Sequence, residues 1–600
     1  MSSRELITEH LDLWTGAVKK KSSSGRGSNG KIDLIGIKKL RELILELAVR
    51  GMLVDQDPAE QPASILLDQI MVKRLCLSKE GKIKNQTRPL AIELTRLPAN
   101  LCHGWTAVTL SHLGVFSGGK TPSKSRSEFW DGNIPWVTPK DMKCEEIVNS
   151  EDHVTEDALG TGGLALLPEN SILFVVRSGI LRRMFPTAIT RVHCTINQDL
   201  KALQLFKPEM ARYIQVLSWG FERFILEHLT KTGTTVESLK FNEFAEQPFP
   251  LPPLEEQRRI VNKVDELRVL CDRLEQQTSD QLEAHETLVD TLLGTLIRSE
   301  NATELADHWV RLAAHFETLF TTEQSIDKLK QTILQMAVMG RLVEQDAADE
   351  PANDLLVRVE EGKRLLLLAS NQRRAKPLPR ISRSEEPFSL PSGWAFTRLD
   401  SITDIQGGIA KGKKTSGKKV RIVPYLRVAN VQRSSLDLSE VKEIEIPLAE
   451  VERYLVRQRD LLITEGGDWD KVGRTAIWDG CINPMAHQNH VFRARLILDE
   501  QNEQWLERYL NSQYARDYFA SSSKQTTNLA SINKTQLRSC IIPMPPSEEQ
   551  HRIVQKVDEL MALCNQLKGR LNQASETRYQ FAEATLAEVV HGSKKRALVT

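Results

Sequence analysis

Six hundred residues exceed what one hydrophobic core organises, so several domains are expected. Eighty basic against 79 acidic residues exclude a uniformly basic nucleic-acid coat and leave room only for local patches. No apolar run reaches the ~18 residues that cross a bilayer. The N-terminus MSSRELITEHLDLW lacks the apolar core of a secretory signal, and the eight scattered cysteines contain no CxxC pair. A cytoplasmic chain with no membrane span, zinc ribbon or redox pair is expected.

Residues 1–31 end in the polar run KKKSSSGRGSNGK and are expected to form a disordered, variable tail. Residues 32–95 read as a helical region, A, whose Leu40, Ile44 and Leu47 recur at helical spacing. From 96 to 250, short apolar runs such as 171–176 lie between Gly- and Pro-bearing turns, and a helical stretch covers about 208–229. That segment, T1, reads as a mixed α and β domain. Residues 251–300 form helix B, beginning PPLEEQRRIVNKVDELRVLC. Two prolines precede it, and Glu255 and Glu256 sit in the first turn, where carboxylates meet the positive end of the helix dipole. Ile260, Val264, Leu267, Cys271 and Leu274 recur at spacings of 4, 3, 4 and 3, a coiled-coil seam. Glu255 and Arg259 stand at i,i+4, the spacing of a flanking ion pair. Leu288, Leu292 and Leu296 carry the helix to about residue 298.

The pattern then starts again. Residues 301–388 hold a second helical region, A′, with Leu329, Ile333 and Met336 at an offset of 289 from A, and an extended polar connector at 370–392. T2 covers 389–544, with a strand expected at 460–464 and a helical stretch at about 502–520. B′ covers 545–600 and opens with PPSEEQHRIVQKVDELMALC, which matches B at 15 of 20 positions at an offset of 293. Its seam is Ile553, Val557, Leu560, Cys564 and Leu567, and Glu548 and Arg552 repeat the flanking pair. T1 and T2 share only landmarks: Gly104-Trp105 with Gly393-Trp394, Gly118-Gly119 with Gly407-Gly408, and Pro135-Trp136 with Pro424-Tyr425. The fold class is therefore α+β: two mixed α/β domains joined by long antiparallel coiled-coil helices in a pseudo-twofold internal repeat. Two narrow seams need apolar partners. The simplest pairing is of B with B′; the alternative is that each packs on its own neighbouring domain.

No familiar catalytic pattern is present. HExxH, GxSxG, a glycine motif for AdoMet and the amino-methyltransferase tetrad are all missing; Ile482-Asn-Pro-Met485 lacks the second proline and the aromatic. Residues 407–414 spell G-x4-G-K, but Lys414 stands where a phosphate loop needs Ser or Thr for magnesium.

Charge is informative because it is segregated. Residues 405–436 carry Lys411, Lys413, Lys414, Lys418, Lys419, Arg421, Arg427 and Arg433 with no acid. Residues 170–198 carry Arg177, Arg182, Arg183 and Arg191, again with no acid, and Lys120, Lys124 and Arg126 lie in GGKTPSKSRS. Basic loops on T1 and T2 point to phosphate neutralisation, hence to nucleic acid. Polar side chains in and beside these loops are candidates for contacting base edges or phosphate: Thr121, Thr138, Lys140, Gln198, Thr234, Asn430, Gln488, Asn489 and Gln525.

The duplicated PPxEEQxRIV helix, the string GGKTP (118–122), the string FWDGNIPWVTPKDM (129–142) and the duplicated helix A together resemble the specificity (S) subunit of type I restriction–modification systems. The likeness covers the chain after about residue 35 and suggests the subfamily with an extended N-terminal helical region. T2 departs from it, with KGKK at 411–414 and no FWDG string. The resemblance implies a subunit without catalytic residues or cofactor of its own, and without a metal. Each target recognition domain would read one half of a bipartite, asymmetric site on double-stranded DNA. The helices would set the spacer and dock two methyltransferase (M) subunits, which carry AdoMet and methylate adenine N6. Restriction (R) subunits, carrying ATP and Mg, would join the resulting M2S complex. Independently of the resemblance, the seam from Ile260 to about Gln281 spans roughly 33 Å, close to the ~34 Å of one duplex turn. The competing readings are an enzyme with an unrecognised site and a coiled-coil scaffold that binds no DNA.

Overall fold

The computed structural model describes residues 7, 11–20, 32–83, 92–233, 236–299, 302–369, 377–410, 412, 418–467, 471–526 and 529–596. They fall into two compact units, Met1–Leu282 with Gln573–Thr600, and Glu283–Asn572.

In the first unit, Leu11–Gly16 is a helix with Trp14 fully buried. This corrects the disorder expected for 1–31 over those residues: one large indole gives the short segment something to bury. Helix α1 (Ile35–Val49) buries Leu40, Ile44 and Leu47 as one stripe. The recognition module follows: β1 (Gly114–Gly118), β2 (Trp130–Val137), β3 (Glu146–Ile147), β4 (Asp152–Val154), β5 (Ile172–Val175), β6 (Thr187–Thr190), β7 (Thr195–Ile196) and β8 (Leu200–Leu205). The larger sheet has the order β1-β8-β5-β6-β3, antiparallel except for β6 with β3. The smaller has the order β7-β2-β4, with β7 parallel to β2. Helix α2 (Leu254–Arg298) completes the unit with its first part and passes into the other unit with residues 283–298.

The second unit repeats this. Helix α3 (Glu323–Val338) precedes β9 (Thr403–Gly407), β10 (Val420–Leu426), β11 (Lys442–Pro447), β12 (Leu461–Thr464), β13 (Thr475–Ile477), β14 (Ala486–His487) and β15 (Val491–Leu496). The sheets are β9-β15-β12-β13 and β11-β10-β14, with β14 again parallel to β10. Helix α4 (Ser547–Arg596) starts here, and its residues from 573 onward belong to the first unit.

Each module enters and leaves through one neck. Thr106–Val108 pairs antiparallel with Phe249–Leu251, and Ala395–Arg398 with Ile541–Met544. Above the neck, the Trp105 indole N–H donates to the Glu256 carboxylate at 2.9 Å, and Trp394 donates to Glu549 at 2.9 Å. The amides of Gln257 and Gln550 donate to the carbonyls of Pro252 and Pro545, each at 2.9 Å. The PPxEEQ string therefore reads as a neck lock: prolines supply carbonyls, Gln binds them, and the second Glu receives the tryptophan of the GW pair. Gly104 and Gly393 turn the chain ahead of those tryptophans at φ 75° and 79°, conformations that glycine adopts without strain. Burial pushes both glutamate carboxyls above their ordinary range.

The flanking pair expected at i,i+4 is replaced by a longer-range one. Arg259 donates to Glu60, and Arg552 to Asp349 at 2.6 Å, while Glu255 takes Arg258 at 2.6 Å. Glu60 and Asp349 are less exposed than Glu255, so the arginines bind the carboxylates whose charge is less screened.

The seams settle with their own helix A. Ile260, Val264, Leu267 and Cys271 are buried in one cluster with Leu40, Ile44 and Leu47, and Leu274 packs at its edge. Ile553, Val557 and Cys564 are buried with Leu329 and Ile333, with Leu560 and Leu567 at the edge. Each seam also meets the other long helix start to tail, as the antiparallel expectation has it: Ala582 of α4 shares the first cluster, and Val289, Leu293 and Leu296 of α2 share the second. Complementary charges fix the packing on helix A: Arg41 bridges Asp272 and Glu275 at 2.6 and 2.7 Å, and Lys568 bridges Asp327 at 2.9 Å. The helix tails dock by the same rule. Lys39 bridges Glu583 on the α4 tail at 2.8 Å, and Lys328, 289 residues on, bridges Asp290 on the α2 tail at 2.7 Å.

One buried group separates the modules. His487 is fully buried in the second, where Ile196 stands in the first. Its Nδ1–H donates to the Val491 carbonyl at 2.7 Å and its Nε2 has no partner. Burial, with Arg493 and Arg495 nearby, lowers its pKa from 6.5 to about 4. A depressed folded-state pKa gives stability that is present above pH 6.5 and lost as pH falls toward 4. The loss amounts to about 3 kcal/mol. Denaturant unfolding between pH 7 and 4.5 is expected to show this slope, and His487→Ile to flatten it; an unchanged slope contradicts the assignment.

Candidate nucleic-acid interface

In the first module the register brings several loops to one end of the larger sheet. Gly118, the last residue of β1, pairs with Lys201, and Val175, the last of β5, pairs with Leu200. From that end leave residues 119–126, the turn 197–199, residues 176–183 and the hairpin Thr230–Lys231 with Glu237–Leu239, whose Ser238 pairs with Arg177.

The first loop is pinned. A Cβ at Gly119 would stand 2.0 Å from the Asn197 oxygen and 2.1 Å from that of Ile196, so only glycine permits the approach. Lys120 N–H donates to the Ile196 carbonyl at 3.0 Å. The Trp136 indole donates to the Lys120 carbonyl at 3.1 Å and the Trp130 indole to the Ser123 carbonyl at 3.2 Å. The two rings meet edge to face with centroids 5.1 Å apart. The FWDGNIPW string is thus a brace for the basic loop that precedes it.

The second module repeats the pinning. A Cβ at Gly408 would lie 2.2 Å from the His487 oxygen and 2.3 Å from that of Gln488, and Ile409 N–H donates to His487 at 2.9 Å. Gly407 pairs with Phe492 and Thr464 with Val491, so the same sheet end is formed. The hairpin Lys524–Thr526 with Leu529–Ser531 adds to it through Gly466 and Gly467.

Of the residues singled out in the sequence, several gather at these ends. Lys120 Nζ donates to the Gly162 carbonyl at 3.0 Å, and the Thr121 hydroxyl donates to Gln198. Lys124 lies on the same exposed loop, and Arg126 pairs with Glu128 at 2.7 Å over the Phe129 ring. That arginine holds the Glu128 carboxyl below its usual range. Arg182 pairs with Glu237 at 2.9 Å. Arg177 and Arg183 are exposed, and among the described residues no side-chain partner is found for either. Lys418 and Lys419 are exposed just ahead of β10. Gln488 follows β14, and Gln525 lies on the strand Lys524–Thr526. Thr234, Lys411, Lys413 and Lys414 lie outside the described residues.

Others are structural. Thr138 is nearly buried and both its N–H and hydroxyl donate to Asp141, at 2.8 and 2.9 Å. Asn430, 289 residues after Asp141, accepts from Arg427 N–H at 2.9 Å and donates to Asp437 and Glu440 carbonyls. Both close a turn after the central strand of the smaller sheet, which removes Thr138 and Asn430 from the base-reading set. Arg427 is drawn to Glu440 at 3.3 Å and Lys140 faces Glu151 at 3.9 Å. Arg191 is held by Glu146 at 2.6 Å. The sequence pattern misses Trp130 as a brace and Glu465, which accepts from His490 at 2.7 Å. A lone acid just past an apolar strand gives no local signal.

A family model described as the type I restriction modification DNA specificity domain matches residues 103–284 and again 391–576. The chain is 35% identical to the type I restriction enzyme EcoEI specificity subunit of Escherichia coli, over 97% of this chain and 99% of that one. It is 36% identical to the EcoAI specificity subunit of the same organism, again over 97% and 99%.

The unpaired arginines give the interface a measurable signature. Arg177→Ala and Arg183→Ala are each expected to weaken binding to duplex DNA and to reduce the salt slope by about 1. Arg191→Ala, whose arginine is engaged by Glu146, leaves the slope unchanged. Equal slopes for all three chains in a salt titration contradict the placement.

Proposed function

The chain belongs to the family of type I restriction–modification DNA specificity subunits, and on that premise we propose how its two modules divide the work. Its role is DNA sequence specificity, as the non-catalytic component of such a system. The first sheet end reads one half of a split, asymmetric duplex site and the second reads the other half. The long helices set the spacer between the halves and hold two copies of one methyltransferase subunit. Those subunits carry AdoMet and methylate adenine N6; restriction subunits, with ATP and Mg, join the resulting complex in the cytoplasm.

The observation that carries this reading is the neck-and-loop frame built twice around different side chains. Both modules pin a Gly-Gly loop against the turn at the same sheet end. The loop chemistry then differs, Lys-Thr-Pro in one and Ile-Ala-Lys in the other. A shared frame with divergent tips suits two recognition events of one kind and different sequence. The helices support the two-copy partner. Leu270 and Leu288 are 46% and 50% exposed, and their equivalents Leu563 and Phe581 are 54% and 52% exposed. Apolar side chains exposed at equivalent places of the two repeats, such as Leu270 and Leu563, suit two copies of one partner.

Methylation mapping in a host lacking other adenine methylation, with this chain and its methyltransferase partner, tests the reading. A motif in two unlike halves separated by a fixed unspecified spacer is expected. A continuous motif, a palindrome, or no sequence preference contradicts it.

A further inference from the structure

The turn that both modules pin at the sheet end carries an amide at the same place. In the first module, Asn197 N–H donates to the Val137 carbonyl at 3.0 Å; in the second, Gln488 N–H donates to that of Leu426 at 2.9 Å. The next residues are Gln198 and Asn489, equivalent by position at an offset of 291. Each is followed within two residues by an interior strand of the larger sheet, paired on both sides, so its backbone has little freedom.

Different neighbours prepare each amide. The Thr121 hydroxyl donates to Gln198 Oε1. A carbonyl oxygen has two lone pairs, so Oε1 keeps one, and among the described residues Nε2 meets no acceptor. In the second module the Asn489 amide donates to His490 Nε2 at 3.3 Å, and His490 Nδ1–H donates to the Glu465 carboxylate at 2.7 Å. That chain of bonds holds the amide, and among the described residues Oδ1 and one Nδ2 proton meet no partner. The first module has Asp199 and Val176 where the second has His490 and Glu465. The backbone position is shared, and the supporting side chains are unrelated.

We propose that Gln198 and Asn489 are the base-edge reading residues of the two modules, each contacting one adenine edge, with Thr121 and the His490–Glu465 pair as positioning residues. An acceptor and a donor on one amide match adenine N6–H and N7 in the major groove. Lys120, Lys124, Arg177 and Arg183 stand on the loops that leave the same sheet end as the first amide, and such cations can hold a duplex by its phosphates. The inference rests on the reading of the two modules given above.

The test is methylation mapping of the complete complex formed with Gln198→Leu or Asn489→Leu. Each substitution is expected to relax one A·T position in one half of the motif by about tenfold or more, leaving the other half unchanged. Thr121→Val and Glu465→Gln keep the amides and are expected to relax the same two positions by a smaller factor. Should a leucine chain fail to accumulate, Gln198→Glu and Asn489→Asp put the same question, since both lose the amide donor. No split motif from the unmodified chain removes the earlier reading and this one with it. A split motif that none of the substitutions moves overturns this inference alone. So does an even loss of affinity for all sequences, which marks a phosphate or purely structural contact.

Discussion

The structure depends on a carboxylate buried in the first turn of each long helix. Glu256 and Glu549 are almost completely enclosed, and each has the indole N–H of a tryptophan as its hydrogen-bond donor. A buried acid is costly unless it is paired, so the tryptophan must return to that place whatever lies between them in the chain. The intervening residues, from 106 to 251 and from 395 to 544, are thereby held at one neck by two antiparallel strands. Beyond the neck the base of each module docks on its helix, through Arg212 to Asp265 and Arg508 to Asp558, each at 2.6 Å. The far end of each module is then free to differ, which the two copies do.

The same economy of contact explains the helices. Each must cover a narrow apolar stripe along its first half and another along its tail. Helix A of its own repeat covers the first, through residues such as Leu40 and Leu329. The tails are held by the lysines at equivalent places on α1 and α3. Because Lys39 and Lys328 bind the tail of the opposite long helix, each repeat is incomplete without part of the other. The offset of 289 residues in region A and 293 in region B is the record of that mutual dependence: the helices stay alike while the modules change length between them.

Much of this was legible in the sequence because helix seams and repeats are local or directly comparable patterns. The strand at Ile172–Val175 and the course of α2 to Arg298 follow from apolar runs alone. What stayed hidden are bonds between residues far apart in the chain. Trp105 and Glu256 are 151 residues apart, and Arg259 prefers Glu60, 199 residues away, to Glu255 beside it. At the candidate interface, the charge runs located the basic loops but could not tell a free arginine from a paired one. Arg182 and Arg191 lie in the same acid-free stretch as Arg177 and Arg183, yet carboxylates from elsewhere hold them. Thr138 and Asn430 carry the right functional groups for base reading, but a turn uses them first.

The central claim is that each module is an independent reader closed at its neck. It is tested most directly by exchanging one module, residues 106–251, for the corresponding segment of a relative with a different target, and mapping methylation by the complex. One half of the motif is expected to take the relative's sequence while the other half and the spacer stay as they were. A change in both halves, or in the spacer, would contradict it.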